Sequence, residues 1–164
     1  MKKVLFLVLS VVLPFPAVAN SVSETVETTG FSQCKGQLTQ VAGEVITQRV
    51  HASHDMWNPV NADQRMYSTL VAQNHPDEST QSSITMVPNA DGGCDYVTTH
   101  TAVWDNSCAD ARSKVLERNK QVGVLADRTV VLESFVQGQF IYLTPVLSDR
   151  ACLVTERAVW FSKR

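Results

Sequence analysis

The sequence predicts an α+β domain in which an antiparallel β-sheet of about six strands carries two helices packed on one face, in the order α-βββ-α-βββ. Apolar residues recur at helical spacing in two places, and each place is followed by segments whose side chains alternate between two faces. Strands joined by short turns pair antiparallel. An even count of four cysteines predicts two disulfides within the domain.

The first 19 residues have the pattern of a secretory signal peptide. Two lysines precede the apolar stretch Val4–Leu13, and the small residues Ala17 and Ala19 stand where a processing enzyme cuts. The apolar stretch is too short to cross ~30 Å of hydrocarbon, which takes about 20 helical residues. We therefore expect residues 1–19 to be removed and the mature chain to reside in the bacterial periplasm or to be secreted.

The charge balance limits the classes of partner that the mature chain is expected to bind. The full chain has 14 basic and 16 acidic residues, a formal net charge of −2, and loss of Lys2 and Lys3 with the signal peptide lowers it to −4. This balance excludes a strongly basic nucleic-acid-binding protein. No later stretch is long and apolar enough to span a membrane. We expect neither a nucleic-acid partner nor a membrane span after signal removal.

The mature chain divides into a short polar start and one domain. Residues 20–31 have no sustained apolar period, which predicts a flexible leader. Residues 32–164 are enough to bury one core, so we predict a single disulfide-stabilised α+β domain.

The first predicted helix begins after Ser32. Apolar residues spaced by 4, 3 and 4 positions share one helical face: Cys34, Leu38, Val41 and Val45. The β-branched residues that follow leave open whether residues 44–52 are helix or strand. Pro59 ends this element, because the residue before a proline avoids helical geometry.

Three strands are predicted next, over Arg65–Asn74, Ser82–Val87 and Cys94–Trp104. Turn residues at His75–Glu78 and Pro88–Gly93 separate them. The third strand is the clearest, because its β-branched and aromatic residues alternate without a glycine or proline. One of its faces collects Tyr96, Thr98, His100, Ala102 and Trp104.

The second half repeats this order of elements. Ser107 is a suitable N-cap for a helix whose buried face holds Cys108, Ala111 and Val115. Three strands are predicted after it: Val130–Val136, Gln139–Thr144 and Cys152–Phe161. The two halves share no residue-level repeat, so their likeness lies in element order alone.

The cysteines Cys34, Cys94, Cys108 and Cys152 allow three pairings, of which one is excluded by geometry. The strand from Cys94 to Trp104 spans about 30 Å, and a disulfide needs Cα atoms within about 7 Å, so Cys94 cannot reach Cys108. Two pairings remain: 34–94 with 108–152, or 34–108 with 94–152. We favour the second, because Cys34 and Cys108 both open predicted helices. Zinc is disfavoured, since no two cysteines are closely spaced.

Three residues are the only candidates for a metal site. On a helix His51, His54 and Asp55 would share one face, and such a set can hold zinc or another transition metal. Metalloprotease helices use His-Glu-x-x-His instead, so we interpret these as surface residues near a helix end and expect no metal or other cofactor.

Three other residues are candidates for binding. His100 lies in mid-strand beside Tyr96, where it is either a hydrogen-bonded, half-buried side chain or a contact in a groove. Trp57 stands in a predicted loop and is the best candidate for an exposed aromatic anchor.

The sequence lacks the motifs of common catalytic classes. There is no Gly-x-Ser-x-Gly elbow and no Ser-x-x-Lys pair, and disulfide formation would remove every thiol nucleophile. We therefore expect a small exported binding protein without catalytic activity, such as an inhibitor, an immunity-type protein or an envelope accessory protein. Its partner would be another envelope or secreted protein. The alternatives are a metal-dependent or histidine-based periplasmic hydrolase and a small-ligand carrier.

Overall fold

The structure is a computed structural model that describes residues 21–47, 50–74, 79–115 and 118–162. The predicted signal peptide, residues 1–19, and the predicted turn at 75–78 lie outside the described residues. Within the described ranges, no helix is long and apolar enough to cross a membrane.

The described chain forms three α-helices and eight β-strands. The helices are α1 (Ser21–Thr29), α2 (Lys35–Val45) and α3 (Cys108–Val115). The strands are β1 (His51–Trp57), β2 (Tyr67–Asn74), β3 (Ser79–Pro88), β4 (Cys94–Trp104), β5 (Lys120–Leu125), β6 (Thr129–Glu133), β7 (Gln139–Val146) and β8 (Ala151–Trp160).

The strands form a single antiparallel sheet in the order β1-β2-β3-β4-β8-β7-β6-β5. The predicted α+β class, with an antiparallel sheet and two disulfides, is confirmed. The predicted counts of six strands and two helices are wrong, since the described order is α-α-ββββ-α-ββββ. Of residues 44–52, which the sequence left open between helix and strand, 44–45 end α2 and 51–52 begin β1. Strand β5 is a short strand whose pairing with β6 shifts between Gln121 and Gly123.

The helices lie on one face of the sheet, here called the helix face. Trp104 of β4 pairs with Cys152 of β8, so the even-numbered residues of these two strands share a face. Cys94 and Cys152 on that face are bonded to Cys34 and Cys108, which stand at the starts of α2 and α3. The opposite side of the sheet, covered by no helix among the described residues, is called the open face.

The observed disulfides are Cys34–Cys94, with Cα atoms 5.9 Å apart, and Cys108–Cys152, with Cα atoms 4.8 Å apart. The exclusion of a 94–108 bond is therefore confirmed, but the favoured pairing of 34–108 with 94–152 is wrong. Helices α2 and α3 each pack on strands of their own half. Cys34 therefore reaches Cys94 at the start of β4, and Cys108 reaches Cys152 near the start of β8. Cys34 and Cys108 both lie at the start of a helix, but this shared position does not bring the two residues close to each other.

Most of the segment predicted to be a flexible leader, residues 20–31, forms a helix instead. Residues Ser21–Thr29 form helix α1, in which Val22 and Val26 are fully buried. Their spacing of four places both on one helical face, and that face packs against α2 and β1. Two valines among polar residues are too few to show a helical period in the sequence. The helix forms because tertiary packing supplies most of the stability of so short a segment.

The helix face carries two apolar clusters, one in each half. The first joins α1 and α2 to β2 and β3, and its largest buried side chains are Tyr67, Phe31, Leu38, Ile84 and Met86. The second joins α3 to β6, β7 and β8 around Leu132 and Leu143. Strands β4 and β8 lie at the centre of the sheet; β4 contributes Cys94 to the first cluster and β8 contributes Cys152 and Val154 to the second, and the rest of their helix face lies between the clusters. Their helix face therefore forms the floor of a cleft between the two halves.

Candidate functional site

Three cross-strand pairs form the floor of the central cleft. Tyr96 lies opposite Trp160, Thr98 opposite Ala158, and His100 opposite Glu156. A cavity of about 350 Å³ opens above the second and third of these pairs. Its lining residues are Glu44, Val45 and Thr47 from the end of α2, Thr98, Thr99 and His100 from β4, and Gln139, Glu156 and Ala158 from β7 and β8. The cavity is thus built from both halves.

A chain of buried hydrogen bonds holds His100 in place. The Nδ1 atom of His100 lies 2.8 Å from the hydroxyl oxygen of Ser82, which is fully buried. The amide nitrogen of Gln73 donates to that same oxygen at 3.3 Å and to the carbonyl of Val45 at 3.1 Å. The Gln73 carbonyl accepts from the backbone N–H of Thr47 at 2.9 Å, which fixes the amide orientation.

This chain is compatible with one tautomer of the His100 ring in particular. The Ser82 oxygen accepts from Gln73, and its one hydroxyl proton can be donated to Nδ1 of His100 at 2.8 Å. A neutral imidazole that accepts at Nδ1 carries its proton on Nε2. The ring therefore offers an N–H donor on the side away from Ser82.

Two carboxylates line the cavity with His100. Glu156 accepts a hydrogen bond from the side-chain amide of Gln139 at 3.2 Å, between its Oε2 and the amide nitrogen. Glu44 lies in the last turn of α2 and is exposed. The described residues that line this cavity include no lysine or arginine. The cavity is therefore a region of negative potential.

Aromatic rings stand next to the cavity along the floor. The rings of Tyr96 and Trp160 stack with centroids 6.4 Å apart and an interplanar angle of 22°. Burial raises the pKa of the Tyr96 hydroxyl, and the nearby charge of Glu44 raises it further. Trp160 remains 40% exposed. The pair thus combines an apolar platform with an accessible ring edge.

Trp57 lies apart from this cleft. It ends β1 at the edge of the sheet, where it is 37% exposed. Together with Met56, Arg65 and Met66 it lines a shallow hollow of about 460 Å³. Two strands separate β1 from β4, which places Trp57 about 14 Å or more from the floor of the cleft. The structure therefore places Tyr96 and His100 on the same face of β4, with only His100 in the lining of the cavity, and leaves Trp57 on a different surface.

The candidate metal residues do not converge. They lie on strand β1, so His51 and Asp55 point to the helix face while His54 points to the open face. The expected shared helical face is wrong for this reason. No three metal-ligating side chains come together anywhere in the described ranges.

Asp55 has a structural role instead. Its carboxylate accepts hydrogen bonds from the hydroxyls of Tyr67, Ser53 and Thr25, and the last of these lies on α1. The Nε2 atom of His51 accepts from the backbone N–H of Ser21 at the start of the same helix. Burial and the Asp55 carboxylate raise the pKa of Tyr67 well above its ordinary range. These groups fasten α1 to the edge of the sheet.

The arrangement in the cleft favours binding over nucleophilic catalysis. Ser82 and His100 are within hydrogen-bonding distance, as a nucleophile and its base would be. Ser82 is fully buried on the helix face of β3, however, so no substrate reaches its oxygen. The described thiols are all in disulfides. What lines the cavity is the His100 ring, held by Ser82, and the carboxylate of Glu156, which lies opposite it on β8.

Several residues of the cleft were not found from the sequence. Glu44, Gln139 and Glu156 are ordinary polar residues in their own segments. The pairing of β4 with β8 places Glu156 opposite His100, the pairing of β7 with β8 adds Gln139, and the packing of α2 adds Glu44. Comparison with protein-family models, with curated proteins and with solved structures finds no match to this chain.

Proposed function

We propose that this chain is a small exported binding protein without catalytic activity, and that its ligand enters the cleft between the two halves. One observation carries the proposal: the buried pair Gln73 and Ser82 fixes the His100 ring opposite the acceptor Glu156 in an open cavity. Binding sites use few polar groups held in advance, because ordering them on binding would weaken affinity.

The two disulfides support an oxidising location. Disulfides persist in the periplasm and outside cells and are rare in the cytosol. This chemistry agrees with the expected signal peptide at residues 1–19. We therefore propose that the partner is an envelope or secreted protein, which the chain inhibits, neutralises or assists.

The cavity volume favours a second candidate, a carrier of a small ligand. Ligand pockets start at about 300 Å³, and the cleft offers about 350 Å³. A carrier would bury its ligand within the cavity, whereas a protein partner would insert one side chain and cover the rim. Both candidates use the same floor residues.

Affinity capture tests the proposal directly. The mature chain would be used to capture partners from envelope and secreted fractions, alongside His100→Ala and the open-face control Thr101→Ala, and native mass spectrometry would look for a retained small ligand. We expect one partner or ligand with the wild type and the control, and its loss with His100→Ala. Equal capture by all three chains would refute the cleft as the site.

A further inference from the structure

We infer that the cleft binds an organic cation, an ammonium or guanidinium group, in contact with Glu44 and Glu156. This inference rests on the proposed binding function and names the chemistry of the ligand. The two carboxylates approach the cavity from different elements, Glu44 from the end of α2 and Glu156 from β8. A cation between them would meet charge-assisted hydrogen bonds on two sides.

The end of α2 adds a second, independent reason. A helix C-terminus carries partial negative charge, and a basic residue in the last turn ordinarily offsets it. The last turn of α2 contains no basic residue and instead includes Glu44, whose carboxylate accepts from the side-chain amide of Gln40 at 3.1 Å. This choice disfavours the helix itself, and such local conflicts are expected where a residue serves function. The helix terminus and Glu44 both direct negative potential at the cavity.

An aromatic pair beside the cavity, although not in its lining, also favours a cation. Tyr96 and Trp160 stack at one end of the floor, and Glu44 is close enough to raise the pKa of the Tyr96 hydroxyl. Ring faces attract cations, and tryptophan does so most strongly. An extended cation such as an arginine side chain would lie with its apolar stem along Tyr96 and its charged end between the carboxylates.

An organic cation fits the cavity better than a bare metal ion. Directly bound metals require ligand atoms about 2.0–2.6 Å away on several sides. In the described ranges no three ligating side chains converge to that degree. The cavity of about 350 Å³ instead accommodates a group the size of a side chain. The His100 Nε2–H donor would meet a neutral acceptor beside the cation, as a peptide carbonyl is.

Titration of the disulfide-bonded mature chain, followed by amide NMR, tests the inference. The probes are agmatine, N-acetyl-arginine amide and its neutral isostere N-acetyl-citrulline amide. We expect both cations to cause saturable shifts at Thr98, His100 and Ala158, and citrulline to cause none. Glu44→Gln and Glu156→Gln should each weaken binding about tenfold, whereas Glu133→Gln on the open face should not.

A further arm distinguishes the sources of the cation. Tighter binding of a tripeptide with a central arginine than of agmatine assigns the site to a side chain of a protein partner, and the reverse order assigns it to a free amine. Equal binding of citrulline, unchanged affinity in both glutamine variants, or no shift with any probe would overturn the cation. Capture that depends on His100 would then still support the cleft as a binding site for another chemistry.

Discussion

The hydroxyl of Ser82 holds the Nδ1 atom of His100 at 2.8 Å, and this contact joins the core of the first half to the floor of the central cleft. Ser82 is fully buried and is itself fixed by Gln73, whose amide also contacts the end of α2. The position of the imidazole is therefore set by α2, β2 and β3 together. A ring supported in this way loses little freedom when a ligand binds.

Nitrogen NMR of the imidazole should show the proton of neutral His100 on Nε2. The expectation follows from the contact between the Ser82 oxygen and Nδ1 when Ser82, which already accepts from Gln73, acts as the donor. In Ser82→Ala this preference should weaken, and ligand affinity should fall about tenfold. Ser83→Ala, on the open face of the same strand, is the control. A wild-type ring protonated on Nδ1 would contradict the assignment.

Tyr67→Phe should destabilise the fold by about 1–2 kcal/mol. The change removes the buried hydroxyl that donates to Asp55 and leaves that carboxylate short of one partner. Urea unfolding measures the loss, and hydrogen exchange in α1 should rise because Asp55 also holds Thr25. Tyr142→Phe on the open face should change stability by less than half as much. Equal effects would show that the bond to Asp55 contributes nothing specific.

Alkaline unfolding should depend on the same tyrosine. The pKa of Tyr67 is raised in the folded state, so the unfolded chain loses this proton first as the pH rises. The contribution is fully present below the ordinary tyrosine pKa of about 10 and is lost progressively above it. Stability measured from pH 9 to 11 should fall less steeply in Tyr67→Phe than in the wild type. Parallel curves would contradict this.

Acid unfolding should depend on Asp63. Hydrogen bonds from the Ser32 hydroxyl and the Gln33 backbone N–H lower the pKa of this carboxyl. Its contribution is present above the ordinary value of about 4 and is lost as the pH falls through the lowered value. Asp63→Asn should flatten the stability curve between pH 4 and 2, and Asp91→Asn in the exposed turn should not. A flat wild-type curve in this range would refute the role.

Each disulfide should stabilise its own half. Removing Cys34–Cys94 or Cys108–Cys152 by paired alanine substitution should destabilise the chain by about 2–4 kcal/mol. Hydrogen exchange should rise mainly in β1–β4 after the first change and in β5–β8 after the second. Peptide mapping of the unreduced chain should recover 34–94 and 108–152 links. Recovery of 34–108 would contradict the observed pairing.

The sequence was most informative where local pattern and tertiary structure agree. The alternation of residue types in β4 correctly predicts that Tyr96 and His100 share one face, because successive side chains of a strand point to opposite faces of the sheet. It was least informative at Val22 and His51, where packing against neighbouring elements decides between leader, helix and strand. Glu156 and Ser82 could not be assigned to the site, since their proximity to His100 depends on sheet register.

Site-specific photocrosslinking tests the central claim, that the ligand occupies the cleft, most directly. A photoreactive residue would replace Thr98 on the cleft floor or Thr101 on the open face of the same strand, in chain exported by its native host. The account predicts a discrete crosslinked product from position 98 and none from position 101. A product from position 101 alone, or none from either, would contradict it.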